Sequence, residues 1–290
     1  MKKYPLLMAL LIVGAIFLFF VIIALLISHQ SGRGARFALG DKVGVIEITG
    51  VITSSADIID EIDDFTDDSS IKAIVLRIDS PGGSVAPSQE IHDAVIKAGK
   101  EKPVVVSMGS MAASGGYYIA VAGQKIVANP GTMTGSIGVI MEFSNYEDLL
   151  KKIGWQNIVV KSGRFKDIGS PNRPMSDADR QILQAMIDDV QSQFVNAVAQ
   201  GRNLSPEKVR EIADGRIMTG QQALAVGLVD TLGGLTTAID LAAELAGLVD
   251  PDVVYPLKPS PKFIDYFMQE AAKHLFKALQ QQSGLKLNYL

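Results

Sequence analysis

The chain has 290 residues, a formal net charge of −4 and no cysteine. The length is enough for one large domain or two small ones. The charge excludes a basic surface for nucleic acid, and the missing cysteines exclude disulfides, thiolate zinc sites and a cysteine nucleophile. Catalysis by histidine is limited to three residues: His29, His92 and His274.

The first predicted element is an apolar run from Pro5 to Ile27 that contains no charged or polar side chain. At about 1.5 Å per residue, a helix of this length spans a hydrocarbon core of roughly 30 Å. A cleavable signal peptide has a shorter apolar region of about 7–15 residues, and the following ISHQSGRGARF is a poor match to its cleavage site. We therefore predict a retained single-pass anchor in the cell membrane, with the rest of the chain outside the cytoplasm.

Strand-like and helical stretches alternate after residue 41. The predicted strands are KVGVIEITGVI, IKAIVLRID, PVVVSMG, KIVANP and GSIGVIM, and the predicted helices between them are ADIIDEIDDF, PSQEIHDAVIKAGK and ASGGYYIAVAG. Buried Val/Ile runs that alternate with helices predict an α/β fold with a largely parallel sheet. After about residue 175 the pattern becomes helical, and Ser176 with Asp179 predicts a capping box at the start of a long helix.

The end of the chain predicts a separate amphipathic helix, which could pack on a partner, on its own domain or on the membrane surface. We divide the chain into a cytoplasmic stub with the anchor (1–28), a tether (29–41), a folded domain (42–250) and this tail (251–290). The apolar face of the tail helix consists of Phe263, Ile264, Phe267, Met268, Ala271, Leu275 and Leu279.

Two glycine-containing turns are candidates for chemistry. The first is SPGGS, residues 80–84, where Gly82 and Gly83 let the chain turn its N–H groups outward. Such a turn is either half of an oxyanion hole or an ordinary connection between a strand and a helix.

The second turn lies in SMGSMAASGGYYIAVAG, residues 107–123. Ser114 is followed by Gly115, Gly116 and an apolar helix, so it lies where free N–H groups favour developing negative charge. The Gly115 N–H could be a second oxyanion donor. Close packing of small residues is the alternative explanation, and Ser107 and Ser110 are weaker candidates for a nucleophile.

A serine nucleophile needs a base, and none of the histidines is well placed. His29 lies at the exit of the anchor, His274 in the tail and His92 in the middle of a helix. Lys166 in SGRFKDIGSP is the next candidate. A lysine base must be neutral, which requires desolvation, so we expect Asp167 to point elsewhere.

Four segments in order, DSPGGSV, GSMAASGGYYIA, TGSIGV and SGRFKDIGSP, resemble the short form of the bacterial signal peptide peptidase A family. The resemblance implies a crotonase/Clp-protease-like α/β fold of repeated β-β-α units with a helical C-terminal part, preceded by one transmembrane helix. It also implies a serine peptidase with a Ser–Lys dyad. In this mapping Ser114 is the nucleophile, Lys166 is the general base, and Ser136 holds the lysine. The backbone N–H groups of Gly83 and Gly115 are the oxyanion donors.

The resemblance further implies that the substrates are cleaved signal peptides left in the membrane and misfolded exported proteins. It implies no metal or other cofactor, and a ring- or dome-shaped homo-oligomer in which neighbouring subunits complete each cleft. Three alternatives stay open. They are a serine protease that works with a stomatin-type membrane partner, a crotonase-type acyl-CoA enzyme, and a non-catalytic membrane-bound assembly module.

Overall fold

A computed structural model describes residues 40–256, in which a mixed eight-stranded sheet is covered by helices. The strand order is β6-β5-β3-β2-β1-β8, and β4 pairs with β3 and β7 beside this path. The strands are β1 (Lys42–Thr49), β2 (Ile71–Ser80), β3 (Val104–Ala113), β4 (Lys125–Ala128), β5 (Met133–Gly135), β6 (Ile217–Thr219), β7 (Thr231–Leu232) and β8 (Asp252–Val254).

The helices connect these strands and form most of the chain after residue 175. They are α1 (Ala56–Asp67), α2 (Val85–Ala98), α3 (Gly115–Ala120), α4 (Glu147–Lys152), α5 (Asp177–Arg202), α6 (Pro206–Arg210), α7 (Gly220–Ala225) and α8 (Leu235–Leu245). The predicted capping box of α5 is confirmed, because the Asp179 N–H donates to the Ser176 hydroxyl while the Ser176 N–H donates to the Asp179 carboxylate.

Within residues 40–256, every strand pair is parallel except β5 with β6. The prediction of an α/β fold with a largely parallel sheet is therefore confirmed. Parallel strands need crossover connections, and α1 and α2 supply them between β1, β2 and β3. As a result, the C-terminal ends of β2 and β3 lie side by side.

The apolar residues of the central strands alternate between two buried clusters, because successive side chains in a strand point to opposite faces. Val43, Val45 and Val75 pack with α8 on one face. Ile46, Leu76 and other residues of the same strands pack with α1, α2, α3 and α5 on the second face. Burial on both faces explains the nearly continuous Val/Ile runs of these strands.

The strand predicted over GSIGVIM is wrong beyond its first residue. The strand β5 ends at Gly135, and residues 136–141 form neither helix nor strand. The physical reason lies at Ser136, whose φ of 50° leaves the extended region, while its N–H donates to the Arg216 carbonyl at 2.8 Å. The chain therefore turns out of the sheet at this point.

The predicted anchor and the predicted tail helix both lie outside the described residues. Between residues 40 and 256, none of the helices combines the length and the apolar character needed to cross a bilayer. The strand β8 lies just after residue 250 and pairs with β1, so the sheet continues into the first residues of the segment that we assigned to the tail.

Candidate active site

Ser114 occupies a sharp turn between β3 and α3. Its φ of 52° and ψ of −121° are unusual for a residue with a side chain. Its N–H donates to the Gly135 carbonyl at 2.9 Å, and its carbonyl accepts the Tyr118 N–H at 2.8 Å. The backbone of a strained serine is thus held from both sides, as in the turns that present nucleophilic serines at the top of a sheet.

Ser136 follows the neighbouring strand at the equivalent position. In the parallel pair of β3 and β5, Ala113 lies opposite Gly135, so Ser114 and Ser136 each come directly after paired residues. Both serines have positive φ, and both line one pocket of about 480 Å³. The structure therefore brings these two predicted site residues together.

The SPGG turn packs directly against the Ser114 turn. Gly82 has a φ of 99°, and a Cβ atom built on it would lie 2.6 Å from the Gly115 nitrogen and 2.9 Å from the Ser114 Cβ. A Cβ atom on Gly115 would lie 3.2 Å from the Gly83 nitrogen. Only glycine lets the two turns approach this closely, which confirms a close backbone contact without excluding a chemical use for it.

The Gly83 N–H faces away from the strand-like bridge that the SPGG turn makes with Ile52. The Ile52 N–H donates to the Gly82 carbonyl at 3.0 Å, and the Ser84 N–H donates to the Ile52 carbonyl at 2.8 Å. Because backbone groups alternate sides along an extended chain, the Gly83 N–H between them points in the opposite direction. The Gly115 N–H is at the first position of α3, where an N–H has no intrahelical acceptor.

A cleft runs along these turns and consists of two adjoining pockets. The smaller has a volume of about 110 Å³ and is lined by Gly83, Ser114 and Gly115 together with apolar side chains. Residues 138–140 line both pockets. The opposite wall comes from α5, which contributes Ile187, Asp188, Val190, Gln191 and Phe194.

An aromatic group lies beside the smaller pocket. Tyr118 lines the pocket, and its ring centroid is 4.9 Å from that of His92 and 5.1 Å from that of Phe194. His92 is buried, and its Nδ1 lies 3.1 Å from an Asp93 carboxylate oxygen. His92 therefore packs behind the pocket instead of lining it.

The two alternative serines are accounted for by the sheet. Ser107 is fully buried within β3 and accepts a hydrogen bond from the Arg77 guanidinium at 2.9 Å. Ser110 is exposed but still lies within β3. Neither occupies a turn like that of Ser114.

Lys166 does not line this cleft. It is exposed in a turn of the segment 141–175, and it does not line either of the two pockets that contain Ser114. Its neighbour Asp167 is bound by Lys161 and Arg173, which together hold the pKa of its carboxyl well below the usual range. The structure therefore brings together Ser114, Ser136, Gly83 and Gly115, and Lys166 is not among the residues that line their cleft.

Comparison with known proteins identifies the family to which this chain belongs. The model of peptidase family S49 matches residues 97–249, and the model of Clp protease matches residues 44–134. The first of these ranges is more than half of the chain. The chain belongs to peptidase family S49. It is therefore a serine peptidase with a Clp-protease-like α/β fold, and the predicted family is confirmed.

Individual relatives support the same assignment. A protease candidate from Synechocystis sp. is 50% identical over 214 residues, which cover 73% of this chain and 77% of the relative. A signal peptide peptidase candidate from Enterococcus faecium is 40% identical over 189 residues, covering 65% of this chain and 55% of the relative. Protease 4 of Salmonella typhi is 42% identical over 202 residues, covering 69% of this chain and 32% of the relative.

Sequence reasoning missed the α5 wall of the cleft and residues 138–140. Val190 and Phe194 are four residues apart, so they form an apolar pair at helical spacing that is visible in the sequence. That spacing predicts only a buried face. It does not tell which residues of the face line a cleft, because this depends on where α5 crosses the ends of the strands.

Proposed function

We propose that this S49 peptidase uses Ser114 as its nucleophile and Lys166 as its general base. The observation that carries the proposal is the strained turn at Ser114 beside two outward-facing N–H groups, those of Gly83 and Gly115. Strained backbone in a cleft is typical of a catalytic position. Ser136, which lines the same pocket, is proposed to accept a hydrogen bond from the lysine and orient it.

The proposed reaction is acyl transfer to serine followed by hydrolysis. Neutral Lys166 takes the proton of the Ser114 hydroxyl as Oγ forms a bond with the scissile carbonyl carbon. The carbonyl oxygen becomes an oxyanion that accepts hydrogen bonds from the Gly83 and Gly115 N–H groups. The C–N bond then breaks, the protonated lysine gives its proton to the leaving amine, and water hydrolyses the ester through the same base.

We further propose that the lysine comes from a neighbouring copy of the chain. Two observations support this: Lys166 is exposed and absent from the lining of the cleft, and its segment exposes apolar side chains such as Ile158 and Val160. Burial of that segment against a second copy would remove the lysine from water, which favours its neutral form.

The proposed substrates are cleaved signal peptides and misfolded exported proteins. The apolar lining of the smaller pocket and the name of the Enterococcus faecium relative support a peptide substrate of this kind. The apolar run from Pro5 to Ile27 supports a membrane anchor with the peptidase domain outside the cytoplasm. In this arrangement the enzyme acts beside the bilayer in which its substrates are left.

The test uses the full-length chain in detergent and a fluorogenic peptide amide with an apolar side chain before the scissile bond. Ser114→Ala and Lys166→Ala should each lower kcat/KM by about 10³-fold or more, since residues of a catalytic unit fail together. Ser110→Ala, which changes an exposed serine of β3, is the matched control and should keep wild-type kinetics.

Mixing the two inactive variants tests the origin of the lysine. When the two chains are co-expressed, a site can combine Ser114 of one chain with Lys166 of another, so activity should return. No recovery would contradict a lysine supplied by a neighbour. Wild-type rates in Lys166→Ala would show that the base is elsewhere, even if Ser114→Ala is inactive.

A further inference from the structure

The Arg173 guanidinium joins two carboxylates that belong to different parts of the chain. Its Nη2 and Nε donate to the two carboxylate oxygens of Asp167 at 3.0 and 3.1 Å, and its Nη1 donates to Asp179 at 2.5 Å. It also donates to the Asp167 carbonyl at 3.3 Å and to the Pro174 carbonyl at 3.0 Å. We refer to Arg173, Asp167 and Asp179 as the Arg173 clamp.

The two ends of the clamp have different surroundings. Asp167 directly follows Lys166 in the exposed segment. Asp179 is buried in the capping box of α5, the helix that lines the cleft through Val190 and Phe194. The clamp therefore connects the turn that carries Lys166 to the helix that forms one wall of the cleft.

A second cation, Lys161, also binds the turn that carries Lys166. The Lys161 ammonium donates to the Asp167 carboxylate at 2.6 Å and to the Arg164 carbonyl at 3.1 Å. Arg173 and Lys161 lower the pKa of Asp167, because both cations favour its charged form. Both carboxylate oxygens of Asp167 accept hydrogen bonds from these partners, so the turn around Lys166 is held through its neighbour.

We propose that Arg173 is a positioning residue, which acts through Asp167 to hold the Lys166 turn against the start of α5 in its own chain and so to orient the lysine toward the cleft of the neighbouring copy. This inference rests on the proposed function of Lys166 as the base. A planar guanidinium that binds a carboxylate with two parallel hydrogen bonds defines both distance and angle, which a lysine ammonium cannot do. The geometry of proton transfer is sensitive, since a displacement of about 1 Å can cost roughly 10²-fold in rate.

The test compares three variants of the full-length chain in detergent: Arg173→Lys, Asp167→Asn and, as the control, Arg180→Met. Arg180 is an exposed arginine of the first turn of α5 that is outside the clamp. Arg173→Lys keeps the positive charge and loses the pair of parallel hydrogen bonds from the guanidinium to the Asp167 carboxylate. Asp167→Asn releases the Lys166 turn and leaves the Arg173–Asp179 pair at the start of α5 intact.

Both clamp variants should lower kcat by about 10- to 100-fold with little change in KM for the peptide amide, across pH 6 to 10. Arg180→Met should retain wild-type kcat. Combining either clamp variant with Lys166→Ala should cause no further loss of the residual activity, because Arg173 acts through that lysine.

Three results would overturn the inference. Wild-type kcat in Arg173→Lys would mean that only the charge is needed. A further loss in the Lys166→Ala background would mean that the clamp stabilises the fold or the cleft without acting through the lysine. Full activity of Lys166→Ala itself would show that Lys166 is not the base, and the proposed role of the clamp would fail with it. This outcome is therefore distinguishable from a failure of the clamp proposal alone.

Discussion

The Ser114 turn and the segment 141–175 are built in opposite ways. Around Ser114, small residues and largely buried strands hold the backbone through contacts within the chain. In the segment, α4 has no buried residue, and large apolar side chains face outward, among them Ile153, Trp155, Ile158 and Val160. Apolar side chains exposed together in this way are typical of interaction surfaces.

The proposed dyad is divided between these two regions. One chain contains the proposed nucleophile, the proposed oxyanion donors and a cleft that is already formed. The lysine lies on a segment whose apolar surface one chain leaves uncovered. If the site is complete only between copies, proteolysis depends on assembly, and an isolated chain keeps a formed but inactive cleft.

The largest expected effect tests how tightly the Ser114 turn is determined. Gly82→Ala introduces a Cβ atom 2.6 Å from the Gly115 nitrogen at a φ of 99°. We expect the turn to shift, which should lower kcat by about 10²–10³-fold through the loss of an oxyanion donor. The strain should also lower the free energy of unfolding by about 1–3 kcal/mol.

The control for this prediction is Gly131→Ala. A Cβ atom there meets no neighbouring atom within 4 Å, so stability should change by less than about 0.5 kcal/mol. Urea unfolding and steady-state kinetics of the two variants give the comparison. Wild-type kcat in Gly82→Ala would contradict an oxyanion site built from the two packed turns.

The next largest effect tests whether the exposed segment is an interface. Val160→Asp places a charge at a side chain that is 96% exposed in the single chain. If a second copy covers this residue, the charge becomes desolvated, so the assembly should dissociate and turnover should fall by about 10-fold or more. Sedimentation in detergent together with peptide hydrolysis measures both results.

Val249→Asp is the matched control, because Val249 is 95% exposed but lies outside the segment. It should leave both the assembly and the turnover unchanged. A Val160→Asp protein with wild-type sedimentation and rate would show that the segment stays open to solvent, and the two regions would then differ for some other reason.

The smallest expected effect concerns the acid stability of the Arg173 clamp, which joins the exposed segment to the start of α5. Arg173 lowers the pKa of Asp167 and of Asp179 in the folded chain, below the unfolded value of about 3.9. The stability from these carboxylates is therefore fully present above that value and is lost as the pH falls through the lower folded pKa. Arg173→Met should make the fall in Tm between about pH 5 and pH 2 shallower, by at most a few degrees.

Thermal scans of Arg180→Met over the same pH range give the reference, and its slope should equal that of the wild type. An equal slope in Arg173→Met would mean that other groups hold the two carboxylates in their charged form. Lys161 is the first candidate for Asp167, since its ammonium lies 2.6 Å away.

The sequence allowed much of the sheet to be predicted, and the reason is burial. The strands around Val45, Val75 and Val105 are covered on both faces, so continuous apolar runs identify them directly. The start of α5 was also predictable, because the capping box of Ser176 and Asp179 is a local interaction. The prediction failed at GSIGVIM, where an apolar run leaves the sheet because Gly135 and Ser136 both have positive φ and so depart from the extended conformation.

For the candidate site, the residue types and their order in the chain were determined by the sequence alone. Three local patterns can be recognised without knowledge of the fold. They are a serine between small residues and glycine, a turn with paired glycines, and a lysine in SGRFKD. The tertiary structure alone decided that Gly82 packs on Gly115, that Ser136 follows the strand beside Ser114, and that Lys166 does not line the cleft that contains both serines. These relations depend on parallel strand register and on crossover connections, which join residues far apart in the chain and leave no periodic trace in the sequence.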